Sequence, residues 1–117
     1  MRRITSLLTW LCVVAGSSIS MGVAENDFFG SSVALSSDGN TAIIGADCAD
    51  VGGITNQGAG YVFTRGGSGW TQQAKLTASD GAAWDRFGAS VALSSDGNTA
   101  IAGAYLADVD GNDGQGA

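Results

Sequence analysis

The sequence predicts an all-β fold of β-propeller blades, each with four antiparallel strands, with about one and a half blades present and the ring incomplete. Three observations predict it. Twelve letters, SVALSSDGNTAI, occur at residues 32–43 and return at residues 90–101. Short alternating runs separated by glycine-rich turns are typical of β-strands. Beyond residue 24, no segment keeps the 3.6-residue period of an amphipathic helix.

The repeat extends beyond those twelve letters. Residues 29–46 and 87–104 differ only at Ser31/Ala89 and Ile44/Ala102. The offset of about 58 residues is in the range that indicates solenoids, propellers or arrays. A repeated unit of this size therefore organises the chain.

Each element of one period has a local β signal. Asp38-Gly39 is predicted to supply the positive-φ positions of a tight hairpin between two apolar runs. Glycine and alanine in the inner strands suit close backbone approach near a propeller axis. The four predicted strands are residues 31–35, 41–46, 60–65 and 70–77. Four antiparallel strands per repeat are typical of one propeller blade.

The amino terminus has the three parts of a secretory signal. Arg2 and Arg3 precede an apolar run at residues 4–16, and small residues lead to Ala24. The run is too short to span a bilayer, which takes about 20 residues. We predict a signal peptide at 1–24, with cleavage after Ala24; the alternative is a buried N-terminal helix. Domain boundaries follow, with a first blade at 25–86 and a second, truncated blade at 87–117.

Charge and cysteine content limit the possible partners. Without the predicted signal, three basic side chains remain against all eleven carboxylates. Such an acidic surface repels phosphate backbones, so no nucleic-acid partner is expected. Cys48 would be the one remaining cysteine, which excludes an internal disulfide and leaves it either buried or available between chains. Cys12 lies inside the apolar run, so neither a lipid anchor nor stable membrane insertion is expected.

The second copy reaches Ala117 before its third and fourth strands. Repeat proteins need about three units to bury a continuous core. We therefore expect a fragment of a longer protein or a truncated reading frame, with further blades of the same chain. Alone, it should be marginally stable or prone to aggregation.

The repeat resembles a known family. Phe-Gly pairs stand at residues 29–30 and 87–88, Gly-Ala pairs at 45–46 and 103–104, and a YVF strand at 61–63. This order resembles the FG-GAP repeat of integrin alpha subunits and of many secreted bacterial proteins, here as a fragment of the bacterial type. The resemblance implies a seven-bladed, non-catalytic extracellular propeller used in adhesion or ligand binding.

Two departures from the family pattern affect this interpretation. Asp47 and Tyr105 replace the proline that follows the Gly-Ala pair, so the turn there is less rigid. The calcium loop of many members is reduced to LSSDGNT, in which Asp38 and Asp96 are the remaining carboxylates. Calcium takes about six to eight oxygen ligands, so a hairpin turn is the favoured interpretation and no metal site is predicted there.

The acidic segment 107–116 carries the densest carboxylates. Asp108, Asp110, Asn112 and Asp113 lie in a glycine-rich loop, which leaves weak calcium binding open. The spacing fails the EF-hand pattern, because Gly111 comes early and Asp113 stands where glycine belongs. A solvated loop is favoured, so metal ligands and cofactors are predicted as none.

Catalytic constellations are not predicted. The chain has no histidine, so a Ser-His or Cys-His nucleophile cannot be assembled. Asp27 and Asp85, one before each repeated phenylalanine, are predicted to cap turns through backbone N–H groups. The predicted catalytic residues are therefore none, and the protein is not predicted to be an enzyme.

Two tryptophans follow the predicted signal. Trp70 alternates with apolar positions of an outer strand, which favours packing between blades. Trp84 lies in a loop, and its counterpart in the first copy is Asn26, so the blade does not require it. Trp84 is therefore the candidate for stacking on a sugar ring.

The predicted function is adhesion or binding of an extracellular protein or glycan, in a protein that is secreted or at the cell surface or periplasm. The alternative is a scaffold or substrate-docking propeller of a larger secreted enzyme whose catalytic part lies beyond residue 117. A structural array on a cell surface is a third class. Downstream sequence would discriminate among them.

Overall fold

A computed structural model describes residues 26–117, and no helix occurs among them. The predicted signal peptide at 1–24 lies outside the described residues. The all-β prediction is confirmed. The six strands are β1 (Ser32–Leu35), β2 (Thr41–Ala46), β3 (Ala59–Gly66), β4 (Gly69–Leu76), β5 (Phe87–Leu93) and β6 (Ala100–Ala104).

The strands form two antiparallel sheets that do not close a ring. The first sheet has the order β1-β2-β3-β4, as expected for a blade whose consecutive strands are hairpin partners. The second sheet pairs β5 with β6 and repeats the β1–β2 hairpin. The architecture is therefore that of partial propeller blades.

The hairpin turns differ from the prediction. Pairing of β1 with β2 ends at Leu35 and Ala42, so the connection is longer than a two-residue turn. Gly39 has a φ of 69°, but Asp38 does not have positive φ. The Asp38 carboxylate instead accepts hydrogen bonds from the Ser36 hydroxyl, at 2.6 Å, and the Asn40 N–H, at 2.9 Å. This is an Asx turn, which needs only one left-handed residue.

The core of the first sheet is aromatic. Phe29 is 1% exposed and meets the Tyr61 and Phe63 rings edge-on, with centroids 5.5 and 6.4 Å away. The rings cover small and branched residues of β2, because Ala42 pairs with Phe63 and Ile44 with Tyr61. Trp70, which the sequence predicts to pack between blades, belongs to this cluster of first-repeat residues.

The two sheets pack through closely approaching backbones. A Cβ at Gly45 would collide with the Gly88 carbonyl oxygen and the Ser32 hydroxyl. The Ser32 hydroxyl donates to that same Gly88 carbonyl at 2.7 Å. At the far end of the interface, the Ser37 N–H donates to the Ser95 carbonyl at 3.0 Å. Residues without large side chains therefore bring the repeats together.

The two copies share one backbone conformation. Gly30 and Gly88 have φ values of 93° and 88°. Asn26 and Trp84 have φ values of 68° and 73°. Turn hydrogen bonds recur at the same offset, as in Ser36 N–H to Thr41 O and its second-copy counterpart, both at 2.9 Å. The repeated sequence therefore encodes a repeated structure.

Candidate functional site

The β2–β3 loop and the β4–β5 linker lie side by side. The Trp84 N–H donates to the Thr55 carbonyl at 3.0 Å, and the Phe87 N–H donates to the Gln57 carbonyl at 2.9 Å. Residues 47–58 and 77–86 together are called the loop–linker surface. Its exposed side chains lie on two segments that these backbone hydrogen bonds hold together.

A buried amide supports the loop–linker surface from beneath. Gln57 is 3% exposed, and its Nε2 donates to the Ala78 carbonyl at 3.2 Å. Gly81 leaves room for this side chain, because a Cβ there would overlap the amide. Within residues 26–117, the Gln57 Oε1 atom has no hydrogen-bond partner. The linker is thereby anchored to the loop, so the surface has a defined shape.

Trp84 is the main exposed aromatic of the loop–linker surface. Its side chain is 54% exposed, and its backbone is left-handed, with a φ of 73°. The Arg86 guanidinium lies 5.5 Å from the indole centroid, which is a cation–π distance. The sequence placed Trp84 in a loop, and the structure confirms that position.

Arg86 joins the linker to the residues that follow β2. Its Nη1 contacts the Cys48 Sγ and lies 3.8 Å from the Asp47 Oδ2. Cys48 is buried, which was one of the two states predicted for a single thiol. Burial raises the pKa of the Cys48 thiol, the Asp47 carboxylate adds to this, and Arg86 opposes it. A buried thiol with a raised pKa is a poor nucleophile, so its role here is packing.

Asp85 caps the linker turn, as predicted. Its Oδ2 accepts a hydrogen bond from the Ala82 N–H at 2.7 Å, and the residue is buried. A carboxylate bonded to backbone N–H groups in this way stabilises a turn. Its position therefore agrees with a structural role.

The acidic segment 107–116 forms a closed loop. Asp108 accepts a hydrogen bond from the Gly114 N–H at 2.6 Å, as Asp50 does from the Asn56 N–H at 2.8 Å. Asp110 and Asp113 are exposed. Within residues 26–117, no three histidine, cysteine or acidic side chains are grouped so that they could hold a metal ion.

The DGN turns use their carboxylates in the same way in both copies. The Ser36 hydroxyl and the Asn40 N–H lower the pKa of Asp38. The Ser94 hydroxyl and the Asn98 N–H lower the pKa of Asp96. Hydrogen bonds to the charged form cause both shifts. Each carboxylate therefore organises its own turn.

Repeated sheets of consecutive antiparallel strands, with inner glycines in close contact, define a protein of the β-propeller repeat class. The family model of the FG-GAP repeat matches residues 19–63 and 70–117, more than half of the chain. The chain belongs to the FG-GAP repeat family. A search of the curated proteins found no match.

FG-GAP repeats are generally extracellular modules of ligand binding and adhesion. Among residues 26–117, no helix has the length and apolar character needed to cross a membrane.

Sequence reasoning missed part of this surface. It did not predict that Arg86 would reach both Trp84 and the Asp47–Cys48 turn. The left-handed backbone of Trp84 could have been inferred from its alignment with Asn26, because asparagine adopts that conformation more readily than most residues. The contacts of Arg86 depend on how two distant loops pack, and no local pattern carries that information.

Proposed function

We propose that this protein is a non-catalytic, extracellular binding module whose loop–linker surface contacts a neutral glycan through Trp84. The proposal agrees with the typical role of FG-GAP repeats. It includes export from the cell, as the predicted signal peptide implies. The loop–linker surface supplies the contact area, and Trp84 supplies the aromatic face.

The backbone of Trp84 is the observation that carries this proposal. Left-handed φ costs an ordinary residue about 1–2 kcal/mol, whereas asparagine adopts it more readily. The first copy has Asn26 in the same conformation, so the fold can form with the residue for which a left-handed backbone costs less. A bulky aromatic at such a position, half exposed to solvent, favours a binding role over a packing role.

Charge favours an uncharged ligand. The loop–linker surface carries Asp47, Asp50, Asp80 and Asp85, and its cation, Arg86, already contacts Trp84 and Asp47. An anionic polymer would meet a predominantly negative field. Aromatic faces pack well against apolar sugar faces without needing charge. A neutral glycan is therefore the ligand class that fits.

A non-catalytic role agrees with how the carboxylates are used. Asp50, Asp85 and Asp108 each accept a hydrogen bond from a backbone N–H. Carboxylates engaged in this way stabilise loops and are poorly placed for proton transfer. The sequence also contains no histidine.

The test is Trp84→Asn in the full chain, measured by retention on immobilised cellulose, chitin and xylan. We expect wild-type protein to be retained on at least one of them and the variant to bind about 10-fold more weakly or worse, a change of about 1.4 kcal/mol. Thermal unfolding should show equal or higher stability in the variant, because asparagine relieves the left-handed cost. Weaker binding without lower stability would separate binding from folding.

Phe28→Asn is the matched control. Phe28 is an exposed aromatic with a φ of 53°, so its replacement also relieves a left-handed residue. It belongs to the first copy, its counterpart in the second copy is Arg86 and not Trp84, and we expect its replacement to leave retention unchanged. Retention of Trp84→Asn equal to wild type, or no retention of wild type on any of the three polymers, contradicts the proposal.

A further inference from the structure

The chain contains five Asp-Gly pairs, at residues 38–39, 80–81, 96–97, 110–111 and 113–114. In an Asp-Gly pair the glycine nitrogen can reach the preceding carboxyl group with little hindrance, because glycine has no Cβ. The reaction requires that both the glycine N–H and the aspartate side chain are free to move. The hydrogen bonds of each pair therefore decide which of them can react in the folded protein.

In four of the five pairs the glycine N–H donates a hydrogen bond. The glycines and their acceptors are Gly39 with the Ser36 carbonyl and Gly97 with the Ser94 carbonyl, both at 3.0 Å, Gly81 with the Ala78 carbonyl at 3.3 Å, and Gly114 with the Asp108 carboxylate at 2.6 Å. Asp38 and Asp96 also accept two hydrogen bonds each inside their turns. These groups must break their hydrogen bonds before they can react with each other.

The pair Asp110-Gly111 differs from the other four. Within residues 26–117, no group accepts a hydrogen bond from the Gly111 N–H, and none donates one to the Asp110 carboxylate. Both residues are exposed and left-handed, with φ values of 52° and 79°. Val109 and Asn112 on either side exchange two backbone hydrogen bonds, of 3.0 and 3.3 Å, as in a two-residue type I′ turn. The reacting groups therefore lie at an exposed turn, without hydrogen bonds to hold them.

The first copy shows that this turn stays exposed when a linker packs against its loop. Gly52 and Gly53, the counterparts of Asp110 and Gly111, have φ values of 59° and 85°. Both are exposed, and a Cβ at either would meet no atom within 4 Å. The β4–β5 linker bonds to the carbonyls of residues 55–57 and leaves the tip of the loop uncovered. Exposure at Asp110-Gly111 is therefore a property of the loop itself.

We propose that Asp110 is a site of spontaneous isoaspartate formation. The Gly111 nitrogen attacks the Asp110 Cγ of the carboxyl group in its acid form. A C–N bond forms, and one carboxyl oxygen leaves as water with the carboxyl proton and the N–H proton. Water then opens the resulting succinimide ring. Opening at Cγ restores aspartate, whereas opening at the α-carbonyl gives isoaspartate, so one water leaves, one returns, and no oxidant or reductant is needed.

The product changes the turn. In isoaspartate the main chain runs through Cβ and Cγ, so the two-residue turn gains one backbone atom. The hydrogen bond from the Asn112 N–H to the Val109 carbonyl, at 3.0 Å, depends on the original turn length. We therefore expect exchange of the Asn112 amide hydrogen to become faster in the modified protein. The acidic segment 107–116 lies outside the loop–linker surface, so this inference and the proposed glycan contact can each hold without the other.

The test incubates the full chain in buffer and, in parallel, unfolded in guanidinium chloride. Isoaspartyl and aspartyl peptides from a protease digest have equal mass and are separated by chromatography before mass spectrometry. The sequence Asp-Gly-Asn occurs at 38–40, 96–98 and 110–112, so the first two sites are internal controls with matched following residues. In the folded chain we expect isoaspartate at residue 110 to accumulate at least about 10-fold faster than at 38 or 96, where hydrogen bonds must first break. In the unfolded chain the three rates should lie within a few-fold of one another.

Two variants assign the reaction to Asp110. Asp110→Gly introduces the residue of the first copy, so it keeps the turn and removes the carboxyl group. It should form no isoaspartate in segment 107–116 at position 110 and should leave the rates at residues 38 and 96 unchanged. Asp110→Asn also suits a left-handed backbone. It should give the same product faster than wild type, with release of ammonia instead of water, because an amide needs no acid form to react.

Three results would overturn the proposal. One is equal accumulation of isoaspartate at residues 38, 96 and 110 in the folded chain. Another is an absence of isoaspartate at residue 110 of the folded chain over a period in which the unfolded chain forms it. The third is a preference for residue 110 that persists unchanged in guanidinium chloride, which would assign it to neighbouring sequence and not to the hydrogen bonds of the fold.

Discussion

Ile43 and Ile101 occupy the same position in two nearly identical repeats, yet they are 0% and 67% exposed. Ile43 lies on the face of β2 that the second sheet covers, with Phe87 near the same site. Ile101 lies on the equivalent face of β6, which no element of residues 26–117 covers. One local sequence therefore gives one backbone and two different burial states.

This comparison separates local structure, which depends on nearby residues, from burial, which depends on the neighbouring sheet. Hairpin pairing and turn geometry recur because they depend on residues a few positions apart. Burial differs because it depends on a neighbouring sheet. Substitutions in the two copies should therefore have equal effects where the structure is local and unequal effects where it is packed.

The largest expected difference is between Ile43→Ala and Ile101→Ala. Removing a fully buried isoleucine side chain costs about 2–5 kcal/mol of unfolding free energy, through lost burial and a cavity. The same change at exposed Ile101 should stay within about 0.5 kcal/mol. Urea unfolding of the full chain, compared by midpoint at constant slope, measures both.

Equal losses at the two positions would show that the repeats do not pack as described. A loss at Ile101 alone would indicate that its face is covered in solution, and the contrast between the copies would then be wrong.

A smaller difference is expected between Gly45→Ala and Gly103→Ala. A methyl group at Gly45 would collide with the backbone carbonyl of Gly88, so the sheets must separate. Overpacking of this kind costs about 1–3 kcal/mol. At Gly103 the nearest atom is the hydroxyl of Ser90, which can rotate away. Urea midpoints should fall clearly for the first variant and little for the second; a similar fall in both contradicts the close approach at Gly45.

These contrasts also show what the sequence could predict. The strands were predictable because alternation and glycine turns depend on residues close together in the sequence, and the repeat shows each pattern twice. Strands β3 and β4 lie within a residue or two of their predicted bounds. The packing of Trp70 between blades stays a prediction, because period-2 alternation tells which residues share a face but not what covers that face. The domain boundaries at 25–86 and 87–117 and the signal at 1–24 stay predictions.

The candidate site was only partly predictable for the same reason. Trp84 was singled out because aligning the two copies places it opposite Asn26, so the blade does not require a tryptophan at this position. The cap formed by Asp85 followed from its place before a repeated phenylalanine.

The smallest expected effect is a loss of stability that is equal in the two repeats. Hydrogen bonds hold the pKa values of Asp38 and Asp96 below the ordinary value. A lowered folded-state pKa means that the charged carboxylate stabilises the fold above the unfolded-state pKa of about 3.9, and that this contribution disappears as the pH falls through the folded-state value. Asp38→Asn and Asp96→Asn should therefore lower the melting temperature slightly and equally at pH 6, and their difference from wild type should shrink at pH 3. Since the hydrogen bonds that the aspartate accepts are the same in both turns, unequal losses would show that even this local element responds to its surroundings. Ser37 and Ser95 join the two turns, Gly97 lies against Thr41, and Arg65 bonds Asn40, so such a response would act through these contacts.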